Sequence, residues 1–382
     1  MKAMTSRERL LAAARREEVD TIPVSPRLGV AVTMHCGTSS NLARLRLKRV
    51  YDYDPHLDVT GNAYPFTDPL EIFRSCPGVH VRIEVRDTGP TRLYDRTIET
   101  PDGTLHEVIV QPNPGRAEYG LYPNPTRIEH MVKSEDDLAK AAHLMPAVDP
   151  ALAHEYHNLE AAAGEDALVR AVIYGPIDHA AGELMSVEDM MVSWLTNRPF
   201  VERFVGMFAA QVMAQTRAMC EAGVRHCFIP YYWHSLSVGW SPAMFEEWFL
   251  PMIAEQVGII HAYDGIAFYY DDGKMMGILP FLSGAGVDVV ETCTPPPVGD
   301  FDLETAKRLH GDRITFMGYT DLIYVLQRGS AEDVRRTVEH ACRVGGRGFI
   351  LGTSDSMREG TSRENVDTYF AAARRYGRRM AF

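Results

Sequence analysis

Short, almost continuously apolar runs alternate with long amphipathic segments from about residue 160 to the end of the chain. Each apolar run gathers its polar residues at its C-terminal end, as strands buried on both faces do. Several amphipathic segments open on Ser or Asp with an acid three residues later, and several close on Gly, which are helix start and stop signals. The apolar runs are residues 167–175, 226–232, 265–272, 287–293, 314–320 and 348–355. This alternation predicts βα units around a parallel sheet.

Two further strands are predicted in the first third of the chain, at residues 21–25 and near 57–61. Together with the six βα units they complete an α/β fold of the (β/α)8 TIM-barrel class. Residues 79–111 alternate polar and apolar positions around the turn signals DTGP and PDG, which predicts a β-hairpin or meander. That segment is too short for a core of its own, so we expect a β insertion within a single domain, residues 1–382.

Composition narrows the classes of partner. The formal net charge of −12 and the absence of a basic patch argue against nucleic acid and against anionic membranes. The N-terminal segment is charged every few positions, unlike a signal peptide, and no apolar run is long enough to span a bilayer. We therefore expect a cytoplasmic protein. The six cysteines show no CxxC pair, so neither a disulfide framework nor a zinc ribbon is predicted.

Polar side chains that could carry chemistry follow the predicted strands, where barrel enzymes place their active sites. This set is rich in carboxylates and phenols and poor in Lys and Arg. Its members are Asp178, His179, Tyr231, Tyr232, His234, Tyr270, Asp271, Asp272, Glu291, Cys293, Tyr319, Asp321, Ser354 and Asp355.

Each of these residues also has a structural interpretation. Tyr231 and Tyr232 would serve equally well as aromatic packing at a barrel mouth. His234 lies in a loop between a strand and a helix, where a functional role competes with a packing role. The adjacent carboxylates of Asp271 and Asp272 repel each other unless metal, hydrogen bonds or water separate them, although one of them could simply cap a helix, as could Asp355.

Several segments resemble, in order along the chain, the uroporphyrinogen decarboxylase superfamily, which includes cobamide-dependent methyltransferases. The resemblance rests on TSRERLLAAARREEVDTIPV near the N-terminus, on SPAMFEEWFLPMI, on the strand ending in DDG, and on GVDVVE after it. It extends through ITFMGYTD and GGRGFILGTSDSMREGTSRENV, and thus covers most of the chain.

Thiol-acting methyltransferases of this superfamily hold zinc with an HxCG motif on the strand that matches GIAFYYDDG, and with a late Cys. Here the His position falls on Tyr270, the Cys position on Asp272, and the late Cys on or beside Asp355. Carboxylates in place of thiolates exclude a thiolate zinc site, whereas oxygen ligands with one imidazole stay open. Zinc with such ligands would be a stronger Lewis acid, suited to an ether oxygen. The metal ligands considered are His234, Asp272 and Asp355, with zinc as the metal.

Uroporphyrinogen decarboxylases themselves carry an arginine-rich segment after the first strand and a late His in a GHG-like turn. The corresponding segments here read SPRLGVAV, in which Arg27 stands alone, and GTSDSM, which has no His. A tetrapyrrole with many carboxylates requires several positive charges. We therefore do not expect uroporphyrinogen to be the substrate.

The resemblance implies a corrinoid-dependent methyltransferase of the O-demethylase type. It would move a methyl group from a small methylated substrate to the cobalt of a separate corrinoid protein, since the sequence contains no corrinoid-binding domain. Tyr232, His234, Tyr270 and Asp272 would polarise or protonate the leaving oxygen, directly or through a metal. Substrate contacts are assigned to Arg27, Asp54, Asp178, His179, Tyr231 and Tyr319.

Two alternatives stay open. One is a lyase of the same family that acts on a smaller carboxylated substrate, with Asp272 or Asp54 stabilising a developing positive charge. The other is a non-catalytic binding subunit, because a fold alone does not guarantee activity.

Overall fold

Seven parallel strands form one sheet, in the order β1-β6-β7-β8-β9-β10-β11. The structure is a computed structural model that describes residues 3–38, 40–60, 76–113, 125–145, 147–180, 184–358 and 360–378. The strands of this sheet are β1 (His56–Val59), β6 (Leu168–Val172), β7 (His226–Pro230), β8 (Ile266–Tyr270), β9 (Val289–Glu291), β10 (Thr315–Thr320) and β11 (Phe349–Thr353). The predicted alternation of strands and helices around a parallel sheet is thus confirmed.

The extended segment Pro23–Ser25 lies beside the last strand of the sheet. Val24 forms a parallel bridge with Leu351 of β11, and its carbonyl accepts a hydrogen bond from the amide of Asp54, two residues before β1. The strand predicted at residues 21–25 thus makes contacts at both edges of the sheet, beside β11 and just before β1, in the manner of a TIM-like barrel.

Several helices begin at a polar residue that caps them. In α1 the Thr5 side chain accepts from the Glu8 amide while the Glu8 carboxylate accepts from Thr5, and Ser330 and Asp333 repeat this arrangement at α13. The helices are α1 (Ser6–Ala14), α2 (Val30–Cys36), α3 (Asn41–Tyr51), α4 (Leu138–Ala142), α5 (Ala151–Ala163), α6 (Pro176–His179), α7 (Val187–Thr196), α8 (Arg198–Glu221), α9 (Pro242–Met244), α10 (Leu250–Ala262), α11 (Leu279–Gly284), α12 (Leu303–His310), α13 (Ala331–Gly345) and α14 (Arg363–Gly377). Within the described ranges, no helix is long and apolar enough to cross a membrane.

The chain divides into two compact units. The first unit comprises Met1–Val59, Pro150–Ile173 and Met219–Phe382, and contains the parallel sheet. Its core is made of the apolar residues of the strands and of the helix faces that cover them, such as Phe268, Ile350 and Val338, each at most 1% exposed. Parallel strands bring their carboxyl ends to one edge of the sheet, so the residues there lie close together.

The second unit comprises Thr60–Asp149 and Tyr174–Ala218. It holds a four-stranded antiparallel sheet in the order β2-β3-β4-β5. These strands are β2 (His80–Asp87), β3 (Thr91–Thr100), β4 (Gly103–Pro112) and β5 (Thr126–Glu129). Residues 79–111, for which an insertion is predicted, fall within β2 to β4 of this larger unit; their place in a single domain stays a prediction.

Candidate active site

Two arginines and two carboxylates form a closed ring of ion pairs in the first unit. Asp58 of β1 and Arg170 of β6 are cross-strand neighbours, and the Arg170 Nε atom donates to Asp58 Oδ1 over 2.8 Å. Arg170 also binds Glu291, at the end of β9. Arg27, after the segment Pro23–Ser25, donates to Glu291 over 2.7 Å and lies 4.0 Å from Asp58. We call Arg27, Asp58, Arg170 and Glu291 the charge ring.

Opposite charges in the charge ring keep Asp58 and Arg27 ionised. Burial by itself raises the pKa of Asp58, yet the charge of Arg170 outweighs it and holds that pKa well below its usual range. Burial likewise lowers the pKa of Arg27, whereas Glu291 raises it above the usual value. Two positive and two negative charges therefore balance within the ring.

Aromatic rings cover the flat faces of both guanidinium groups. Arg27 lies 4.6 Å from the ring centres of both Phe228 and Tyr270, and Arg170 lies 4.7 Å from that of Phe228 and 5.1 Å from that of Phe268. A guanidinium placed in this way has its faces against aromatic rings and its edges toward carboxylates. Tyr270 thus connects the charge ring to the residues at the end of β8.

A phenol and two carboxylates lie together at this end of the sheet. Tyr270 is the last residue of β8, and its hydroxyl lies 3.5 Å from an Asp355 carboxylate oxygen after β11. Tyr232, after β7, places its ring 4.9 Å from that of Tyr270 in an edge-on arrangement. Asp272 follows Tyr270 by two residues and interacts with both Tyr270 and Asp355. The predicted residues Tyr232, Tyr270, Asp272 and Asp355 are therefore brought together.

Asp272 is the carboxyl group whose proton affinity is best suited to catalysis. Burial, followed by repulsion from the Asp355 carboxylate, raises the pKa of Asp272 to about 6. Burial and the same two carboxylates raise the pKa of Tyr270 well above its usual value, so this phenol stays a neutral hydrogen-bond donor. Asp355 itself accepts from Arg358 over 2.7 Å and from the Ser356 amide over 2.6 Å.

The backbone at Asp272 is fixed by the loop after β7. The Ser235 hydroxyl donates to the Asp272 carbonyl over 2.6 Å, and the Lys274 amide donates to Ser237 Oγ over 2.8 Å. Gly273 between them has φ +91°, and a Cβ atom there would lie 2.1 Å from Ser237 Oγ. Only glycine fits this turn without displacing the loop, so Gly273 determines where the Asp272 side chain is held.

His234 lies in an aromatic environment. Its Nε2 atom is 2.6 Å from the Tyr269 hydroxyl, and its ring packs against Phe245 and Phe249 at centroid distances of 5.3 and 5.8 Å. Burial lowers the pKa of His234 to about 3, so the imidazole is neutral at physiological pH. Tyr231 packs against the same ring, and its hydroxyl donates to Gln256 over 2.9 Å. The catalytic assignment of His234 stays a prediction.

The described residues do not assemble a metal site of the expected kind. Among them, no three His, Cys, Asp or Glu side chains are placed to hold a metal ion. His234, Asp272 and Asp355, the ligands considered from the sequence, therefore do not form such a group in this structure. The assignment of zinc to these residues stays a prediction.

Four other residues predicted to contact the substrate have different surroundings from this cluster. Two of them, Asp54 and Tyr319, belong to the first unit. Asp54 accepts from Ser6, Arg9 and the Val24 amide, and so anchors helix α1 to the sheet. The Tyr319 ring lies 5.8 Å from that of His340 on α13.

Asp178 and His179 belong to helix α6 of the second unit and are both buried. His179 stacks on Phe208 with 6.2 Å between ring centres, and burial lowers its pKa to about 4. The roles assigned to Asp178 and His179 stay predictions.

Sequence reasoning missed part of the site. Arg170 stands in the middle of an apolar run, Asp58 lies in a short predicted strand, and Arg358 comes after the last strand end. The signal that could have found Arg170 is its position, because a charge inside a strand buried on both faces requires a partner. The prediction that the site is poor in Lys and Arg is also corrected, because Arg170 lies in the charge ring together with Arg27.

Comparison with known proteins identifies relatives of this chain. The sequence model of the uroporphyrinogen decarboxylase (URO-D) family matches residues 120–376. No curated protein matches the chain significantly. A methyltransferase from Methanosarcina mazei is similar in structure, with a TM-score of 0.67 and 16% identity over 98% of this chain and 99% of its own. A B12-independent methionine synthase from Shewanella sp. W3-18-1 has a TM-score of 0.48 and 10% identity, over 94% and 97% of the two chains. At such identities these likenesses concern the fold alone.

Proposed function

Because this chain belongs to the uroporphyrinogen decarboxylase family, we propose that it is a methyltransferase that removes a methyl group from the oxygen of a small methylated substrate. The observation that carries the proposal is Asp272, a carboxyl group beside Tyr270 whose pKa is raised to about 6. A carboxylic acid with such a pKa can donate a proton near neutral pH, whereas an ordinary aspartate is already ionised. The similar fold of a methyltransferase supports the reaction class.

Breaking a methyl ether is assisted by a proton at the leaving oxygen, above all when the product is an alcohol or a weakly acidic phenol. The methyl group passes to a nucleophilic acceptor, and the electrons of the carbon–oxygen bond stay on the oxygen. Asp272 donates its proton to that oxygen, so that the product leaves as an alcohol or phenol and Asp272 becomes a carboxylate. The phenol of Tyr270 donates a hydrogen bond beside it, and the Tyr232 ring provides an apolar wall.

In this proposal Asp355 raises the pKa of Asp272 and does not itself donate the proton. Its negative charge is the second cause of the raised pKa of Asp272, after burial. The ion pair with Arg358 holds Asp355 in position, 2.7 Å from the guanidinium. Asp355 thus helps to keep Asp272 protonated until the leaving oxygen needs the proton.

The methyl acceptor is a second substrate in this proposal. We assign that role to the reduced corrinoid of a separate protein, which supplies a nucleophile strong enough to accept a methyl group. The protonation by Asp272 does not depend on this choice, because the acid acts on the donor side of the bond that breaks.

Decarboxylation is the main alternative, and the charges of the site are unfavourable for it. Holding a substrate carboxylate requires a cation that can bind it. Arg27 and Arg170 are already bound to Glu291 and Asp58. Arg358 is likewise bound to Asp355.

A spectroscopic assay tests the proposal. The protein is mixed with 2-methoxyphenol and chemically reduced cobalamin, the visible spectrum is followed for methylation of the corrinoid, and the phenolic product is measured by chromatography. We expect both signals with the wild-type protein and neither with Asp272→Asn. Asp271→Asn is the control, because it removes an adjacent carboxylate on the same strand end.

Two results would contradict the proposal. One is release of carbon dioxide from a small aromatic carboxylic acid without any demethylation, which indicates a lyase. The other is an equal loss of turnover in the Asp271→Asn and Asp272→Asn proteins, because that would place the acid elsewhere.

A further inference from the structure

We infer that the charge ring makes this site selective for uncharged methyl donors and excludes carboxylated ones. This inference rests on the proposed function, since it names the substrate class of the same site. The family's name refers to a carboxylated substrate, so a neutral donor would be a departure built into this chain. The residues that determine it are Asp58 and Glu291.

Both arginines of the charge ring already have carboxylate partners. Arg170 binds both Asp58 and Glu291, and Arg27 binds Glu291 over 2.7 Å with Asp58 at 4.0 Å. A substrate carboxylate would have to compete with these carboxylates, which are already in place.

Packing keeps the ring in this arrangement. The side chains of Arg170 and Glu291 are 0% and 1% exposed, and those of Arg27 and Asp58 are 15% and 16% exposed. Phe228 lies against both guanidinium groups, so neither can rotate out of plane without losing an aromatic contact. Arg27 and Asp58 are the members that a bound molecule can reach.

The charges next to the ring add a further penalty for anions. The ring sums to zero, and beside it Asp355 is balanced by Arg358 while Asp272 contributes negative charge whenever it is ionised. A carboxylate entering here loses its water and meets two arginines that are already paired with Asp58 and Glu291. An uncharged aryl ether meets no such penalty and can pack against Tyr232 and Tyr270.

The test compares two probes of nearly equal shape, benzoate and benzamide. Binding is measured by calorimetry at low ionic strength for the wild-type, Glu291→Gln and Asp58→Asn proteins. We expect the wild-type protein to bind benzoate at least about tenfold more weakly than benzamide, or not measurably. Each substitution should increase benzoate affinity by roughly tenfold to a hundredfold, the range for a hydrogen bond to a charged group. The reason is that each substitution leaves one uncompensated arginine charge in the ring.

Asp20→Asn is the matched control. Asp20 forms an ion pair with Arg9 at a distance of 2.6 Å, and its side chain is 16% exposed, as is that of Asp58. This substitution removes a carboxylate from an arginine outside the ring, and should leave benzoate affinity unchanged. Thermal melts identify variants that do not fold. If Glu291→Gln does not fold, the comparison rests on Asp58→Asn, because Asp58 is the more exposed of the two carboxylates.

Three outcomes would overturn the inference. The first is wild-type protein that binds benzoate as tightly as benzamide, which decides the question even if both variants fail to fold. The second is a folded ring variant that gains no benzoate affinity, and the third is absence of binding by both probes in every protein. The assay involves no methyl transfer, so its failure is distinguishable from a failure of demethylation.

Discussion

Asp355→Asn should shift the pH dependence of turnover toward lower pH while Asp272, the catalytic acid, stays in place. Asp272 must be protonated to act, so activity is full below its pKa and is lost as the pH rises through about 6. Removing the negative charge of Asp355 removes one cause of the raised pKa. The falling limb of the pH profile must therefore move to lower pH.

The size of the shift can be bounded from the structure. Burial first and the Asp355 charge second raise the pKa of Asp272 from 3.8 to about 6, against opposing effects of Tyr270, Arg27 and Arg358. Because the Asp355 charge is a smaller cause than burial, we expect the limb to move by about 1 pH unit. Above the pKa this corresponds to a decrease in turnover of up to about tenfold at fixed pH. Loss of the Arg358 ion pair acts in the same direction, because an unpaired guanidinium lowers the pKa of Asp272 further.

The assay is kcat/KM for demethylation measured from pH 4.5 to 8, together with a thermal melt at each end. Asp312→Asn, which removes an exposed charge beside Arg313, is the control and should leave the limb in place. A limb at unchanged pH in the Asp355 variant, or one moved to higher pH, would refute the role given to Asp355.

Three further predictions concern single residues. Asp272→Asn should lower kcat by on the order of a hundredfold or more with little change in the melting temperature, because it removes the acid and not core packing; Asp271→Asn in parallel checks the register, and a larger loss there would contradict it. Arg170→Met should destabilise the fold by about 3–5 kcal/mol in chemical denaturation, because it leaves Asp58 and Glu291 to share the single positive charge of Arg27; an unchanged midpoint would show that these carboxylates do not need Arg170. Gly273→Ala should cost about 1–3 kcal/mol and also lower turnover, because the added Cβ at φ +91° meets the loop that fixes Asp272; wild-type kinetics would mean that the loop yields freely.

The sequence predicts the parallel sheet and the end of β8 for a physical reason. A run such as 265–272 is apolar until its polar end, and parallel strands place such ends together, so the amino-acid pattern alone points to Tyr270 and Asp272. The glycine that ends this run in the sequence, Gly273, has a positive φ, and Ser237 approaches it closely.

Other parts of the site depend on contacts that no local pattern reveals. Arg170 is bound to Asp58, 112 residues earlier, and to Glu291, 121 residues later. A single charged residue within an apolar run does not indicate which distant residues pair with it. The surroundings of His234 are likewise set by Phe245 and Phe249, which come from the helical segment after its loop.

The most direct test of whether Asp272 protonates the leaving oxygen compares a series of uncharged aryl methyl ethers whose phenol products differ in acidity. A strongly acidic phenol, such as 4-nitrophenol, leaves readily without a proton, whereas a weakly acidic one, such as 4-methylphenol, needs an acid. We predict that the deficit of Asp272→Asn in kcat/KM is large for the methyl ether of 4-methylphenol and small for that of 4-nitrophenol. The same deficit across the whole series would contradict a role for Asp272 as the acid.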